Sequence, residues 1–119
     1  MCLSTIWPRK RLRALQKKSH IGPIKAWKVV QVGNLGVLKG PYQSTTYKTG
    51  YQLTTARSGK RLSAPISYPA GFHVYAKLKD VHSMLDEYRT IPCLIWDIVA
   101  AGLEGDKVVY VARKMMLLC

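Results

Sequence analysis

Acidic residues are scarce and confined to one part of this 119-residue chain. All six (Asp80, Asp86, Glu87, Asp97, Glu104, Asp106) follow residue 79. Cysteine is nearly absent too: Cys2, Cys93 and Cys119 are an odd, scattered set with no CxxC spacing. That excludes a disulfide framework and points to a reducing compartment. No pair of histidines or cysteines has metal-ligand spacing, so no metal and no other cofactor is expected. The longest apolar run, IPCLIWDIVAA at 91–101, is too short to cross a bilayer. The N-terminus carries basic residues without an apolar h-region, so neither a signal peptide nor a membrane association is expected. The expected location is the cytoplasm, inside a host cell.

Positive charge, by contrast, is abundant. There are 19 Lys+Arg against 6 Asp+Glu, a net charge of +13. Fifteen of the basic residues lie at or before residue 79, where no acid opposes them. A basic part joined to a near-neutral part is the electrostatic footprint of a polyanion binder, against the alternative of a solvated basic surface kept for solubility.

The apolar run at 91–101 is rich in β-branched residues and reads as a strand covered on both faces. The segment 102–106 reads as a turn, and 107–118 as the returning strand of a central antiparallel pair. Residues 24–32 (IKAWKVVQV) form another strand, with Lys25, Trp27, Val29 and Gln31 on one face and Ala26, Lys28, Val30 and Val32 on the other. A turn at 33–36 leads to a short strand at 37–39, and 71–75 is a further strand. Between them, 47–55 is a candidate strand and 57–61 a tight basic turn. Leu78, Val81, Leu85 and Tyr88 follow helical spacing, which predicts an amphipathic helix over 78–89. The expected fold is α+β: an antiparallel sheet of about five strands packed against one amphipathic helix, with a basic N-terminal arm. Residues 1–23 are the arm and 24–119 a single domain. Pro8 can open a short helix in the arm, but Leu12 and Leu15 are too few to anchor it, so it either orders on an anionic partner or stays a solubilising tail.

Two basic regions are candidate binding sites. The stretch 42–61 interleaves Tyr47 and Tyr51 with Lys48, Arg57, Lys60 and Arg61. Aromatic rings can stack on bases while cations hold phosphates. The alternative is a basic hairpin whose tyrosines pack on the sheet. The second region is the arm, with Arg9, Lys10, Arg11, Arg13, Lys17 and Lys18. His73 lacks a nearby carboxylate or nucleophile in sequence and reads as structural. Cys2 would need Met1 removed to act as an N-terminal nucleophile, and the chain is short for that architecture. Asp97 interrupts the apolar run, so it must face solvent or be paired. Alternation groups it with Cys93, Ile95 and Val99, and Arg113 or Lys114 is the expected ion-pair partner. No catalytic residues are expected, and the chain reads as a non-enzyme.

The Met1-Cys2-Leu3 start, the Ala26–Val30 strand, the Gly71-Phe72-His73 strand and the closing Val111-Ala112-Arg113-Lys114-Met115 strand together resemble a group of small uncharacterised proteins from bacteriophages, other viruses and mobile elements. That resemblance implies a viral accessory protein acting in an infected cell, and it brings no activity with it. The expected function is therefore a small basic binding module engaging nucleic acid, a nucleotide or another phosphate-rich ligand. The alternatives are an inhibitor of a host defence system, anti-CRISPR-like or a nucleotide-messenger sponge, with a host protein or signal nucleotide as partner, and a minor virion component.

Overall fold

A computed structural model describes residues 3–32, 38–39, 46–47, 52–54, 60–63, 66–69, 71–78 and 88–118. Among these residues, ten strands and one helix follow in order: β1 (Thr5–Ile6), α1 (Arg9–Ile21), β2 (Ile24–Val32), β3 (Leu38–Lys39), β4 (Thr46–Tyr47), β5 (Gln52–Thr54), β6 (Lys60–Ser63), β7 (Ile66–Pro69), β8 (Phe72–Tyr75), β9 (Tyr88–Glu104) and β10 (Lys107–Leu117). The protein is α+β, one helix against an antiparallel sheet. Five of the sheet's eight strands exceed two residues.

β9 and β10 organise the rest. Their ladder runs from Lys107↔Glu104 to Leu117↔Cys93 across a turn at Gly105-Asp106, where Gly105 takes a φ of +65° that a side chain would strain. The expected turn at 102–106 is thus shorter, because Gly102, Leu103 and Glu104 are drawn into the ladder. At roughly 3.3 Å per residue, 17 residues of straight β9 would span about 56 Å. The longest dimension of the molecule is 43 Å. β9 therefore has to bend. It does so at Asp97, which adopts a φ of 53°, and at an adjoining bulge: Val111 pairs with Ala100 while Ala112 pairs with Ile98, leaving Val99 extra.

The bend lets the pairing close on itself. The N-terminal half of β9 pairs with β2 (Tyr88↔Gln31 to Ile95↔Ile24), β10 pairs with β8, and β8 returns to β2 through Tyr75↔Trp27. A ring β2–β9–β10–β8 results, and closure removes free edges where it occurs. The remaining edges are short: β5 continues the β10 side, β3 and β4 extend β2, and β1 covers the end of β9. At that last edge Gly102 is essential, since a Cβ there would lie 1.9 Å from the Thr5 carbonyl oxygen. β6 and β7 form a separate two-stranded sheet.

Two layers of core result. One contains Ala26 and Val30 of β2, Phe72 and Val74 of β8, Cys93, Ile95 and Ile98 of β9, and Met115 and Leu117 of β10, with Leu15 of α1 packed in. The other gathers Leu3, Val29, Tyr68, Tyr75, Ala100, Val109 and Val111. The face alternation expected for 24–32 is the observed one for Ala26 and Val30 against Val29. Its surprise is Lys28, which shares the apolar face and is only 5% exposed. Its Nζ donates to the His73 carbonyl oxygen at 2.9 Å, so the buried ammonium has an acceptor.

The helix expected over 78–89 falls mainly on 79–87, outside the described residues. Its last two positions are corrected: Tyr88 and Arg89 belong to β9, because the nine-residue β2 pairs as far as Tyr88. The ladder outweighs a helical spacing of apolar residues there. Among the described residues no helix is long and apolar enough to cross a membrane.

Candidate nucleic-acid interface

The helix is the N-terminal basic segment itself. α1 spans RKRLRALQKKSHI, with six cations and no acid. Pro8 precedes it with no side-chain cap, and Gly22 closes it with its N–H on the Lys18 carbonyl at 3.3 Å. The expectation that this segment is too weakly apolar to be anchored is corrected. Leu15 and Ser19 are buried, and Leu12 packs partly against the same core. Two polar bonds help. Gln16 Nε2 donates to the Ile98 carbonyl at 2.8 Å, and Ser19 Oγ donates back to the Gln16 carbonyl at 2.7 Å. Leu12, Leu15, Gln16 and Ser19 follow i, i+3, i+4, i+7 spacing, so an anchoring stripe was present in the sequence, half of it polar.

At the helix start, Trp7 meets Tyr110 edge to face, with centroids 5.9 Å apart and planes at 74°. The Arg11 guanidinium carbon lies 3.9 Å from the Trp7 ring centroid, a cation–π contact. Burial pushes the Tyr110 hydroxyl above its ordinary pKa, and Arg11 partly opposes this. Arg11 is thus tied to the fold as well as exposed.

The remaining cations face outward. Arg9, Lys10, Arg13, Lys17 and Lys18 are all exposed, and the pairs Arg9/Arg13, Lys10/Arg13 and Arg13/Lys17 are three or four residues apart. Arg9, Lys10, Arg13 and Lys17 form one row. With Ala14 they line a groove of about 540 Å³. Neighbours at this spacing stand about 5–6 Å apart and, being like-charged, oppose the helix by about 0.2–0.5 kcal/mol per pair. Arg9, Lys10 and Arg11 also sit at the positive end of the helix dipole, with no acid in the first turn. The helix therefore holds an electrostatic cost that an anion alongside it would relieve.

The other expected binding residues are scattered. Tyr47 belongs to β4 of the main sheet, and Lys60 and Arg61 to β6 of the small one, paired with Pro69 and Tyr68. The basic turn expected at 57–61 is corrected at those two residues, which are strand. Lys48, Tyr51 and Arg57 lie outside the described residues. Among the described residues of that set, the structure brings together the six cations of α1.

His73 is buried at 5% exposure and both ring nitrogens are engaged: Nδ1 with the Gly71 carbonyl at 3.1 Å, Nε2 with the Tyr68 hydroxyl at 2.9 Å. The first contact requires Nδ1–H, so Nε2 accepts from Tyr68, whose oxygen in turn accepts from the Leu3 N–H at 3.2 Å. This chain of bonds ties β7, β8 and the N-terminal segment. Asp97 is exposed, unlike Cys93 and Ile95, so the expected alternation and the expected structural ion pair are both corrected. Its left-handed backbone turns the carboxylate away from the face that alternation assigns it.

No protein-family model, curated protein or solved structure matches the chain.

Proposed function

We propose that this protein is a nucleic-acid-binding module, not an enzyme, which engages the phosphate backbone through the outward row Arg9, Lys10, Arg13 and Lys17 of α1. The observation that carries this reading is a helix with six cations and no acid, seated on the sheet by its opposite face so that the row is presented to solvent. The row offers point charges and guanidinium forks at a repeat close to the spacing of successive phosphates, and it includes no aromatic ring. It suits a polymer held by its backbone, whose binding neutralises the helix's like charges. Arg11 and Lys18, exposed beside the row, widen the positive surface. A viral accessory role in an infected cell is compatible with this chemistry and rests on the sequence motifs alone.

The test is fluorescence anisotropy with a labelled mixed-sequence duplex across a salt series. Four row contacts predict that log affinity falls with log salt at a slope near −3.6, at about 0.9 per phosphate contact. The R9E/R13E/K17E variant should bind at least about 100-fold more weakly at low salt, since each cation is both removed and replaced by a repelling charge. Unchanged affinity in that variant would overturn the proposal and move the positive row to an acidic protein partner.

A further inference from the structure

A second cavity, of about 500 Å³, opens beside the last turns of α1, where the helix crosses the bend of β9 and β10. Gln16, Ser19 and His20 line it from the helix, Trp96 and Asp97 from β9, and Lys114 from β10. Its size is within the range of about 300–1,000 Å³ typical of small-molecule sites.

The bend gives this cleft its composition. Consecutive strand residues point to opposite faces, so Trp96 and Asp97 should not share a cavity. The φ of 53° at Asp97 breaks the alternation, and Trp96, Asp97 and Lys114, the last paired across from Trp96, line the one cleft. A non-glycine residue in the left-handed region is strained, and such strain concentrates at binding sites. Among the described residues Asp97 makes no hydrogen bond or ion pair, and the Gln16 Oε1 acceptor is uncommitted while Nε2 holds Ile98. Ser19 Oγ spends its proton on the Gln16 carbonyl, which leaves it an acceptor. The cleft thus has an aromatic wall, a cluster of acceptors including a full carboxylate, and the cationic or cation-capable Lys114 and His20.

The geometry points to a guanine nucleotide as its ligand. An unpaired carboxylate accepts two hydrogen bonds side by side, and the guanine edge offers two neighbouring donors, N1–H and the 2-amino group. Adenine and cytosine place an acceptor beside their amino group, and uracil flanks its single N–H with two carbonyls. The indole supplies a stacking surface for the base, and Lys114 supplies positive charge for the phosphate, beside the His20 imidazole. This inference deepens the reading of α1 as a nucleic-acid interface: a strand held along the outward row has an unpaired guanine taken up in the cleft that adjoins the row at the C-terminal turns of the helix.

The test uses GMP, AMP, CMP and UMP titrated into the full chain by isothermal calorimetry. GMP should bind at least about tenfold more tightly than AMP, the lower end of the discrimination of one bidentate base contact. Asp97→Asn keeps a residue that tolerates positive φ, so the fold persists by circular dichroism, and it should bring GMP down to the level of AMP. Equal affinity for the four nucleotides, no binding of GMP at millimolar concentration, or retained GMP preference in D97N would each overturn the assignment. The R9E/R13E/K17E variant separates the two proposals. GMP binding that survives in it while duplex binding is lost supports both. Duplex binding by the wild type without GMP binding removes the cleft and leaves the row. GMP binding without any duplex binding removes the row and leaves the cleft.

Discussion

The helix and the β9–β10 pair are held to the molecule by different forces. Along β9 and β10, Cys93, Ile95, Ala101, Val109, Val111, Ala112, Met115 and Leu117 are all fully buried, and a ladder runs the whole of β10 against Cys93 to Glu104 of β9. α1 has two buried residues, one of them Ser19, with Leu12 and Gln16 partly buried beside them, and its outward face is a row of mutually repelling cations. The pair is stabilised by burial, which moderate changes of ionic strength leave nearly untouched. The helix is stabilised by a few contacts working against charge, so its attachment depends on what surrounds it. A conditional element placed at the surface suits a binding role, since regions that order or tighten on a partner come from the low-stability end of a fold.

The sharpest break in this comparison comes from trimming one apolar anchor on each side. Ile95→Ala should cost about 2–5 kcal/mol of global stability in urea unfolding, with sheet and helix signals lost together. Leu15→Ala should cost less, about 2 kcal/mol, and act locally: amides of α1 would exchange with solvent faster while those of β9 and β10 keep their protection. Simultaneous loss of protection in both regions of the Leu15→Ala variant would show that the helix is part of the same cooperative unit.

The same division explains what could be read from the residues. The IKAWKVVQV strand alternates cleanly; its bounds are those observed for β2, and Ala26 and Val30 lie on the opposite face from Val29 as expected. The β9–β10 pair was legible as an apolar run, a glycine-bearing turn and a returning run. Tyr88 was misplaced because its spacing with Leu78, Val81 and Leu85 is helical, and nothing local reveals that Gln31 claims it across the sheet. Asp97 was legible as an anomaly but not in its direction, since alternation is a rule for regular strands and a positive φ suspends it. The anchoring of α1 was hidden because two of its four inward positions, Gln16 and Ser19, are polar and hold by hydrogen bonds. The cleft could not be foreseen, as it joins residues 16–20 to 96–97 and 114 through a crossing that only the tertiary fold creates.

Cys93 probes the buried side of the comparison through pH. Burial pushes its thiol up from 9.0 to about 12, while Lys28 and a backbone hydrogen bond from Ala26 pull the other way. Below pH 9 the thiol is protonated in folded and unfolded chains alike and adds no pH slope. Between about pH 9 and 12 the unfolded chain releases this proton and the folded chain keeps it. The unfolded state then binds fewer protons, so stability falls as pH rises, by up to about 1.4 kcal/mol per pH unit. Lysines and tyrosines titrate in the same window, so the readout is the difference between the wild type and Cys93→Ala. That difference should be flat below pH 9 and shrink above it. A constant difference up to pH 12 would mean that the thiol ionises in the folded protein as readily as in the unfolded one.

Salt gives the finest discrimination, because it should act on the two regions differently. Raising ionic strength from about 0.01 to 0.15 M shortens the Debye length from about 30 to 8 Å. Repulsion along Arg9, Arg13 and Lys17, about 0.2–0.5 kcal/mol for each neighbouring pair, is then partly screened. The opening free energy of α1 measured by hydrogen exchange should rise by a few tenths of a kcal/mol, with β9 and β10 unchanged. Over the same range, affinity for duplex should fall, since the row trades phosphate contacts for counterions. Salt that tightens the helix while loosening its partner is the signature expected when one set of charges both destabilises the free element and binds the polyanion. A helix weakened by salt would mean that its cations are held by attractive contacts within the fold, and the row would then lack the unrelieved charge from which its binding role is argued.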